Sequence, residues 1–530
     1  MLDILIKNGA VLDGSGDSEF SANVGIKDGR IEYIGEDSPE AGETVDATGR
    51  YVTPGFIDIH RHGDAEIFRP GFGRQEISQG LTTIVNGQCG LSISPCPAEH
   101  KDEILDFLAP VIGSIDHSAP IETVGDYFAL AEKQPLMVNV GQCIGNGTCR
   151  MAAKGFEPGA VSDDEYEKIH SYLREGLEAG ALGVTTGIVY SPENCYDVDG
   201  LVRAMGPMSD YGVPLVTHIR GYGDILHRSL DEIIEVARRL GVPLHISHMM
   251  AVGRQNWGTG LNEALAKLDR ARQSGMTVSC DVYPYTAGAS QLIQILPPWF
   301  QEGGVLKIIE RLSDRDKREE LTDILKKPSD RFENLLYSTG WDSLLITTLG
   351  LEKNQKYVGM TVSDIAKEQG KDPYDCAYDL LIEEKCAVTM VIFITDERDI
   401  INILRYPYSS VISDSIYPSS GLPHPRAYGS FPKVLGEFCR DRKLIELPQA
   451  IRKMTSEPAK LYGIGKKGLI SEGYDADICV FDLNDVSCEA DYVNPRRYAK
   501  GMHRVIVGGR IAYADGDFVC GSAGKFIRRK

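Results

Sequence analysis

The stretch Phe56-Ile-Asp-Ile-His60-Arg-His62 carries two histidines, two residues apart, at the end of an apolar, strand-like run. Successive side chains of a strand alternate between its two faces, so both imidazoles are expected on the same face, where they can chelate one ion. A single histidine at a strand end is more often a hydrogen-bonded core residue than a ligand. The hypothesis of a metal site therefore depends on further ligands elsewhere in the chain.

Similar apolar runs recur along the chain and alternate with helical stretches such as 164–179, 225–240 and 261–274. Eight parallel strands with intervening helices are typical of a (β/α)8 barrel, a fold of the α/β class. Two further runs, 344–349 and 388–395, exceed the eight, so the count alone does not establish the barrel. The eight predicted barrel strands are 56–60, 81–86, 136–141, 181–186, 214–220, 243–248, 277–283 and 410–414.

Other metal-ligating residue types also end predicted strands. A spacing near 30 residues is about one strand–helix unit, and the carboxyl ends of barrel strands meet at one face, where barrel enzymes keep their active sites. Imidazoles, a thiolate and a carboxylate match the preferences of zinc. His245 sits at an odd offset from His248 and is expected in the core or behind the ligands. The four further candidates are Cys89, 29 residues after His60; His218; His248, 30 residues after His218; and Asp414.

Composition excludes several classes of protein. The 530 residues include 56 Lys and Arg against 76 Asp and Glu, a formal net charge of −20, which disfavours nucleic acid and anionic membrane surfaces as partners. Apolar runs are too short to span a bilayer, and the first residues do not resemble a signal peptide, so a cytoplasmic location is expected. Twelve scattered cysteines are too few for a disulfide scaffold and form no CxxC pair.

Both ends of the chain differ from the middle in their predicted secondary structure. The first 53 residues and residues 466–530 read as short strands separated by turns such as Asp28-Gly29 and Gly508-Gly509. Each end is too small for its own core, so we expect the two to pair into one discontinuous β-sandwich around a catalytic barrel at 54–465. A charged helical stretch at about 291–343 is predicted to be a small inserted subdomain.

These residues resemble the amidohydrolase superfamily and, within it, the N-acyl-D-amino-acid deacylase (D-aminoacylase) family. The resemblance covers nearly the whole chain, and Cys89 in place of the more usual carboxylated lysine or glutamate points to that group. The matching motifs are Pro54-Gly-Phe-Ile-Asp58-Ile-His60-Arg-His62, Gly87-Gln-Cys89-Gly90, Gly180-Ala-Leu-Gly183-Val-Thr-Thr-Gly187, His218-Ile-Arg220, Ile246-Ser-His248, Asp281-Val-Tyr283-Pro-Tyr285, His424-Pro-Arg426 and Gly473-Tyr-Asp-Ala-Asp477.

The resemblance implies two metal sites and a hydrolytic mechanism. Zinc lowers the pKa of a bound water towards about 7. Asp414 would take the proton of that water and later protonate the leaving nitrogen of an amide. The resemblance implies a tightly held zinc at Cys89, His218 and His248, and a second, weaker site at His60 and His62 with shared ligands and Asp414 in contact.

The same resemblance implies which residues bind the substrate, and two positions differ from the family's usual residues. Arg426 matches an arginine that pairs with the substrate α-carboxylate, and a guanidinium fork suits that role. Tyr283 matches a hydroxyl that holds the same carboxylate, and Tyr190 is expected to line the acyl or side-chain pocket. Where the family commonly has lysine, Met250 places a thioether in the substrate site, and Ala289 departs from the same carboxylate cradle.

The sequence therefore predicts a zinc-dependent amidohydrolase that cleaves a linear amide bond in a small-molecule substrate, most specifically in an N-acyl-D-amino acid. One alternative is a hydrolase of cyclic amides, like a hydantoinase or dihydroorotase, or of another amide or carbamate for which Met250 is suited. A distant alternative is an inactive barrel that serves as a scaffold, which predicts lost metal ligands. The exact substrate, its stereochemistry, the occupancy of the second metal site and the oligomeric state are left open.

Overall fold

A computed structural model of the chain describes residues 1–418 and 420–529. Within that part, no helix is long and apolar enough to cross a membrane. The strands are β1 (Leu2–Val11), β2 (Phe20–Lys27), β3 (Arg30–Gly35), β4 (Ala41–Asp46), β5 (Tyr51–Pro54), β6 (Phe56–Asp58), β7 (Leu81–Asn86), β8 (Asn139–Gln142), β9 (Ile144–Gly145), β10 (Val184–Gly187), β11 (Leu215–His218), β12 (Leu244–Ile246), β13 (Val278–Val282), β14 (Ala287–Gln291), β15 (Leu344–Thr348), β16 (Thr389–Phe393), β17 (Ser409–Val411), β18 (Ile478–Phe481), β19 (Met502–Val507), β20 (Arg510–Ala514), β21 (Asp517–Phe518) and β22 (Phe526–Ile527).

The helices follow local sequence signals. Helix α5, for example, begins after Ser162, whose hydroxyl accepts the backbone N–H of Glu165 in a capping box, and it ends at Gly180 with a left-handed φ of 105°. The α-helices are α1 (Arg74–Ser78), α2 (Lys101–Ile112), α3 (Val124–Ala131), α4 (Asn146–Lys154), α5 (Asp163–Ala179), α6 (Val198–Met205), α7 (Leu226–Leu240), α8 (Thr259–Gln273), α9 (Pro298–Gln301), α10 (Gly304–Ser313), α11 (Arg315–Leu325), α12 (Leu335–Thr339), α13 (Val362–Gln369), α14 (Pro373–Glu383), α15 (Glu397–Arg405), α16 (Arg426–Lys433), α17 (Leu447–Met454) and α18 (Ser456–Leu461).

The predicted (β/α)8 barrel is confirmed. Parallel strands β6, β7 and β8 form one arc, and β9, β10, β11, β12, β13 and β17 form the other. Strands β8 and β9 are separated in the chain by Cys143 alone and together occupy the third barrel position. All eight predicted strands are present. The two surplus runs belong to a separate antiparallel sheet of β14, β16 and β15.

Strands from both ends of the chain share one sheet. Strand β18 pairs antiparallel with β5, and the complete order is β21-β20-β19-β18-β5-β1-β2-β3, with β4 paired to β1. The Gly508-Gly509 turn joins β19 to β20, and a core of aliphatic side chains such as Ile6, Val52 and Val480 lies beneath the sheet. The domain boundaries at 53 and 466 stay a prediction.

The segment between β13 and β17 adds a layer over the barrel. The predicted insertion at 291–343 corresponds to helices α9 to α12, whereas the inserted layer also contains β14, β15 and β16. The sequence does not assign those strands to the inserted layer, because a short apolar run is equally compatible with a barrel strand. The layer brings Leu335 and Ile392 to the cleft above the barrel.

Arg61 forms hydrogen bonds at the place where the first and last barrel strands, β6 and β17, come together. The strands approach there through a parallel bridge between Arg61 and Ser415. The fully buried Arg61 guanidinium donates to Asp58 Oδ2 at 3.1 Å, to Glu76 Oε1 at 2.6 Å and to the Tyr417 hydroxyl at 2.6 Å. One side chain therefore connects the segment that carries His60 and His62 to the segment after β17.

We expect replacement of Arg61 by methionine to lower the free energy of unfolding by about 3 kcal/mol or more, because Asp58 and Glu76 would remain as buried, unpaired carboxylates. Chemical denaturation monitored by circular dichroism measures this change. The matched control is Arg315→Met, since Arg315 is 89% exposed and pairs with Glu319 on the surface of α11, where such pairs contribute little. Equal stability of Arg61→Met and the wild type would contradict the assigned role.

Candidate metal centre and substrate cleft

Five residues predicted as metal ligands converge at the carboxyl ends of the barrel strands. Cys89 is common to two triads in which the possible ligand atoms all lie within 4.8 Å of one another. Its Sγ is 3.3 Å from His60 Nε2 and 3.5 Å from His248 Nε2. The first triad is His60, His62 and Cys89, and the second is Cys89, His218 and His248.

The donor set fits zinc. Zinc–sulfur and zinc–nitrogen bonds of about 2.3 and 2.0 Å in a tetrahedral arrangement place ligand atoms about 3.6 Å apart, close to the separations around Cys89. Burial lowers the pKa of His218 well below its usual range and that of His248 to about 4, so both rings are neutral and available as ligands. Burial raises the pKa of the Cys89 thiol, and a bound cation is the group that reverses this effect.

Three site residues adopt the left-handed backbone region that is unfavourable for residues other than glycine. The φ angles are 56° at Cys89, 32° at His248 and 50° at Asp414. Each residue lies two or three residues after the end of a barrel strand, where the chain turns. Such conformations cost free energy and concentrate at functional sites, which agrees with an active role for all three residues.

Asp414 faces the first histidine pair on one side and Arg426 on the other. Its Oδ1 is 3.4 Å from both His60 Nε2 and His62 Nε2, and its Oδ2 is 2.8 Å from an Arg426 terminal nitrogen. Burial alone would raise the pKa of this carboxyl group, but the positive charge of Arg426 outweighs burial and holds the pKa below its usual range. Asp414 is therefore ionised and next to the metal ligands.

Asp281 begins one of the sequence motifs, and the sequence analysis assigned it no function. Its Oδ2 accepts a hydrogen bond from His245 Nε2 at 2.9 Å and lies 3.5 Å from His60 Nδ1, while its Oδ1 accepts the backbone N–H of His248. Asp281 thus contacts the ring of His60 and the backbone of His248, two of the predicted ligands, and a carboxylate in such a place can orient a metal-ligating histidine. His245, predicted in the core or behind the ligands, is buried at this position and also contacts Ser279.

The substrate residues predicted from the sequence line the cleft beside the metal ligands. The Tyr190 hydroxyl is 3.1 Å from His218 Nδ1, and Met250 and Ala289 form part of the wall. The Tyr283 ring lies beneath the Arg426 guanidinium, 4.6 Å from ring centroid to Cζ. The structure brings all the predicted site residues together, although their individual roles stay predictions.

The Arg426 side chain is buried at the edge of the cleft, next to Asp414. It is fully buried, and one of its terminal nitrogens pairs with Asp414 Oδ2 at 2.8 Å, while the ring of Tyr283 lies against the guanidinium. His424 fixes the neighbouring backbone: its Nε2 donates to the Ala287 carbonyl at 3.0 Å, and its Nδ1 accepts the Arg426 N–H at 3.0 Å. Arg426 also lines the cleft, and a guanidinium with five N–H donors can bind an anion there in addition to its pairing with Asp414.

Tyr222 and Glu333 also belong to the cleft, and sequence reasoning did not assign them. Tyr222 packs against His218 and His248, with ring centroids 5.2 and 5.3 Å apart, and its hydroxyl donates to the Ser247 carbonyl. Glu333, from the inserted layer, accepts the Tyr222 N–H at 2.9 Å, and burial raises its pKa to about 7. Glu333 had no usable signal in the sequence, since 111 residues separate it from Tyr222.

A parallel barrel with histidine, cysteine and aspartate side chains gathered at the carboxyl ends of its strands defines a metal-dependent hydrolase. Comparison with known sequences agrees with this class. A model of the amidohydrolase family matches residues 43–282 and 413–513. The chain belongs to the amidohydrolase family.

Several proteins similar to this chain are deacylases. A D-aminoacylase of Alcaligenes xylosoxydans xylosoxydans is 30% identical, over 99% of this chain and 98% of the relative, and an N-acyl-D-glutamate deacylase of the same organism is 31% identical, over 96% and 93%. Among solved structures, the N-acyl-D-glutamate deacylase of Bordetella bronchiseptica, in complex with zinc and a phosphonate mimic of the tetrahedral intermediate, superimposes with a TM-score of 0.84 at 30% identity, over 99% of both chains. A D-aminoacylase structure gives 0.83 at 29% identity, over the full length of both.

Proposed function

We propose that this protein is a zinc-dependent deacylase that hydrolyses the linear amide bond of N-acyl-D-amino acids. The observation that carries the proposal is the arrangement of the two triads that share Cys89, beside Asp414 and the buried Arg426 guanidinium. The names of the relatives, D-aminoacylase and N-acyl-D-glutamate deacylase, support the same reaction. The cytoplasmic location and the absence of a nucleic-acid partner stay predictions.

The metal would be held most tightly by Cys89, His218 and His248, with His60 and His62 forming the second site around the shared thiolate. When bound, zinc supplies hydroxide at neutral pH and polarises a carbonyl. The two-site arrangement agrees with a solved D-aminoacylase structure that is described as having a binuclear metal centre with one-metal activation and second-metal attenuation.

The residues of this chain supply proton transfer and substrate orientation. Arg426 would bind the α-carboxylate through its remaining N–H groups, with Tyr283 beneath its guanidinium. Asp414 is ionised and would accept the proton of the attacking water, then donate it to the leaving nitrogen. Tyr190 and Tyr222 pack against the ligand histidines and limit the water that reaches the reacting atoms.

A substrate panel tests the proposed function. Zinc-loaded protein would be incubated with N-acyl-D-leucine, N-acyl-L-leucine and a 5-substituted hydantoin, and the released amine or acid would be measured. We expect turnover of the D-amino-acid derivative and its loss on zinc removal by a chelator. Turnover of the hydantoin alone would favour the cyclic-amide alternative, and no turnover of any D-substrate would contradict the proposal. Absence of both zinc binding and hydrolysis would favour the scaffold alternative.

The proposed role of Arg426 predicts a loss that depends on the substrate carboxylate. We expect Arg426→Met to lower kcat/KM for N-acyl-D-leucine by about tenfold to a hundredfold, the usual contribution of a hydrogen bond to a charged group. The same variant should change kcat/KM much less for the matching primary amide, which lacks the negative charge. Arg426→Lys should give an intermediate loss. Equal losses on acid and amide would show that Arg426 acts on Asp414 rather than on the substrate.

A further inference from the structure

Glu193 is a buried acidic residue beside the metal centre, and the proposed mechanism gives it no role. It lies six residues after the end of β10, is 2% exposed and is not one of the described residues that line the cleft. Its Oε1 accepts hydrogen bonds from Asn146 Nδ2, at 2.6 Å, and from the Thr186 hydroxyl. Its Oε2 accepts the backbone N–H of Gly187 at 2.8 Å. Glu193 therefore joins the end of β10 to the first residue of α4.

The carboxyl group of Glu193 lies directly against the turn that carries Cys89. The next residue, Gly90, has a φ of 73° and no room for a side chain, because a Cβ atom there would collide with Glu193 Oε2 and lie 2.6 Å from the Gly187 nitrogen. A Cβ atom on Gly187 would likewise collide with the Cys89 carbonyl oxygen. The turn and the end of β10 are thus in direct backbone contact, and Glu193 touches both.

Two hydrogen bonds attach the same turn to β10 and to α4. The Gly90 N–H donates to the Thr185 hydroxyl at 3.1 Å, and the Gly90 carbonyl accepts the Thr148 N–H at 3.0 Å. Thr185 belongs to β10 and Thr148 to α4, which are the two elements that the Glu193 carboxyl group joins. The position of the turn therefore depends on how these two elements are held relative to each other.

The conformation of Cys89 makes this support necessary. A left-handed φ of 56° is unfavourable for a cysteine, and such conformations persist only where the surrounding structure fixes them. Cys89 Sγ is also the ligand atom common to both triads, 3.3 Å from His60 Nε2 and 3.5 Å from His248 Nε2. A small movement of the turn would change the distances from Sγ to both histidines at once.

We propose that Glu193 is a positioning residue of the metal centre, which holds the end of β10 and the start of α4 against the Cys89 turn and so keeps the thiolate where both metal sites share it. The inference rests on the proposed zinc-dependent function and adds to it a residue outside the cleft. Glu193 contacts neither metal nor substrate in this role and acts through the backbone of Cys89 and Gly90. Groups that support a metal ligand from behind commonly contribute about tenfold to a hundredfold to metal affinity.

The zinc affinity of the full-length protein tests this role, measured by competition with a chromophoric chelator. We expect Glu193→Ala to raise the zinc Kd about tenfold to a hundredfold. Burial raises the pKa of the Glu193 carboxyl group to about 7, so the neutral amide of glutamine is a close substitute. Glu193→Gln keeps the length of the side chain and should therefore retain most of the zinc affinity.

Glu384→Ala is the matched control. Glu384 is also buried, and its carboxylate likewise accepts a backbone N–H, that of Gly350 at 2.6 Å, and the side-chain amide of Asn354 at 2.7 Å. It directly follows α14, and neither Glu384 nor these two partners are among the described residues that line the cleft or form the triads. The control variant should lose stability as Glu193→Ala does, but it should bind zinc with the affinity of the wild type.

Cobalt in place of zinc gives a second readout that reports the metal–sulfur bond itself. A thiolate bound to cobalt absorbs through charge transfer from sulfur to the metal. We expect this absorption, per bound cobalt, to weaken in Glu193→Ala and to stay unchanged in Glu384→Ala. A general loss of stability would not produce that difference.

The outcomes separate this inference from the proposed function. An unchanged zinc Kd in Glu193→Ala, or equal losses in Glu193→Ala and Glu384→Ala, would overturn the inference and leave the deacylase function standing. A wild-type protein that neither binds zinc nor hydrolyses substrate would overturn both. If Glu193→Ala yields no folded protein, Asn146→Ala removes one of the three donors to Glu193 and should raise the zinc Kd by a smaller factor; an unchanged Kd in that variant would also overturn the inference.

Discussion

Cys89→Ala is expected to remove zinc from both metal sites and to lower kcat/KM for an N-acyl-D-amino acid by about 10⁴-fold or more. Cys89 is the one residue shared by the two triads, so its loss leaves each site with two histidines. Metal activation of water and carbonyl contributes several kcal/mol to catalysis, and each 1.36 kcal/mol corresponds to a factor of ten in rate. Zinc content by elemental analysis and kinetics on the same preparation measure the effect.

The control for this prediction is Cys520→Ser, because Cys520 lies two residues after β21, belongs to neither triad and is only half-buried. That variant should bind zinc and hydrolyse substrate like the wild type. A Cys89→Ala protein that retained most of its zinc and its activity would contradict the shared-thiolate arrangement.

Asp414→Asn is expected to lower kcat by about 10²- to 10⁴-fold while most of the zinc stays bound. The amide cannot accept the proton of the attacking water, but it leaves the triad of Cys89, His218 and His248 intact. The measurement combines steady-state kinetics with the zinc content of the purified variant. As a control, Asp199→Asn changes the same functional group on the surface of α6, where the side chain is 82% exposed.

Two results would contradict the assignment of Asp414 as the proton-transfer residue. Activity above a tenth of the wild type would show that another group transfers the proton. Complete loss of zinc together with activity would show that Asp414 acts mainly as a metal ligand, a role that its distance of 3.4 Å from His60 Nε2 and His62 Nε2 also allows for the second site.

Much of the catalytic centre was predictable from local patterns. The spacing of His60 and His62 and the recurrence of Cys89, His218 and His248 at strand ends predict a shared metal site, because parallel barrel strands bring equivalent positions to one face. The structure places these side chains within ligand distance. The backbone strain at Cys89 and His248 was not predictable, since a left-handed φ has no reliable signal in a residue other than glycine.

The inserted layer shows where the sequence was ambiguous. Its strands β15 and β16 are apolar runs like those of the barrel, and periodicity alone does not distinguish an antiparallel strand above the barrel from a parallel strand within it. The helices of the layer were recognised by their charge pattern, but the contribution of Met390 and Ile392 to the cleft depends on how the layer packs over the barrel.

The sequence by itself predicted the barrel, the candidate ligands of zinc and the resemblance to deacylases, because these depend on periodicity and on motifs of a few residues. Only the tertiary structure decided that Arg61 joins the first and last barrel strands, that Asp281 contacts His60 and His248, and that Arg426 is buried beside Asp414. The physical reason is distance along the chain. Each of these contacts joins segments that are separated in sequence, and whether a polar side chain there is exposed, paired or free to bind a substrate is set by the packing of the whole fold.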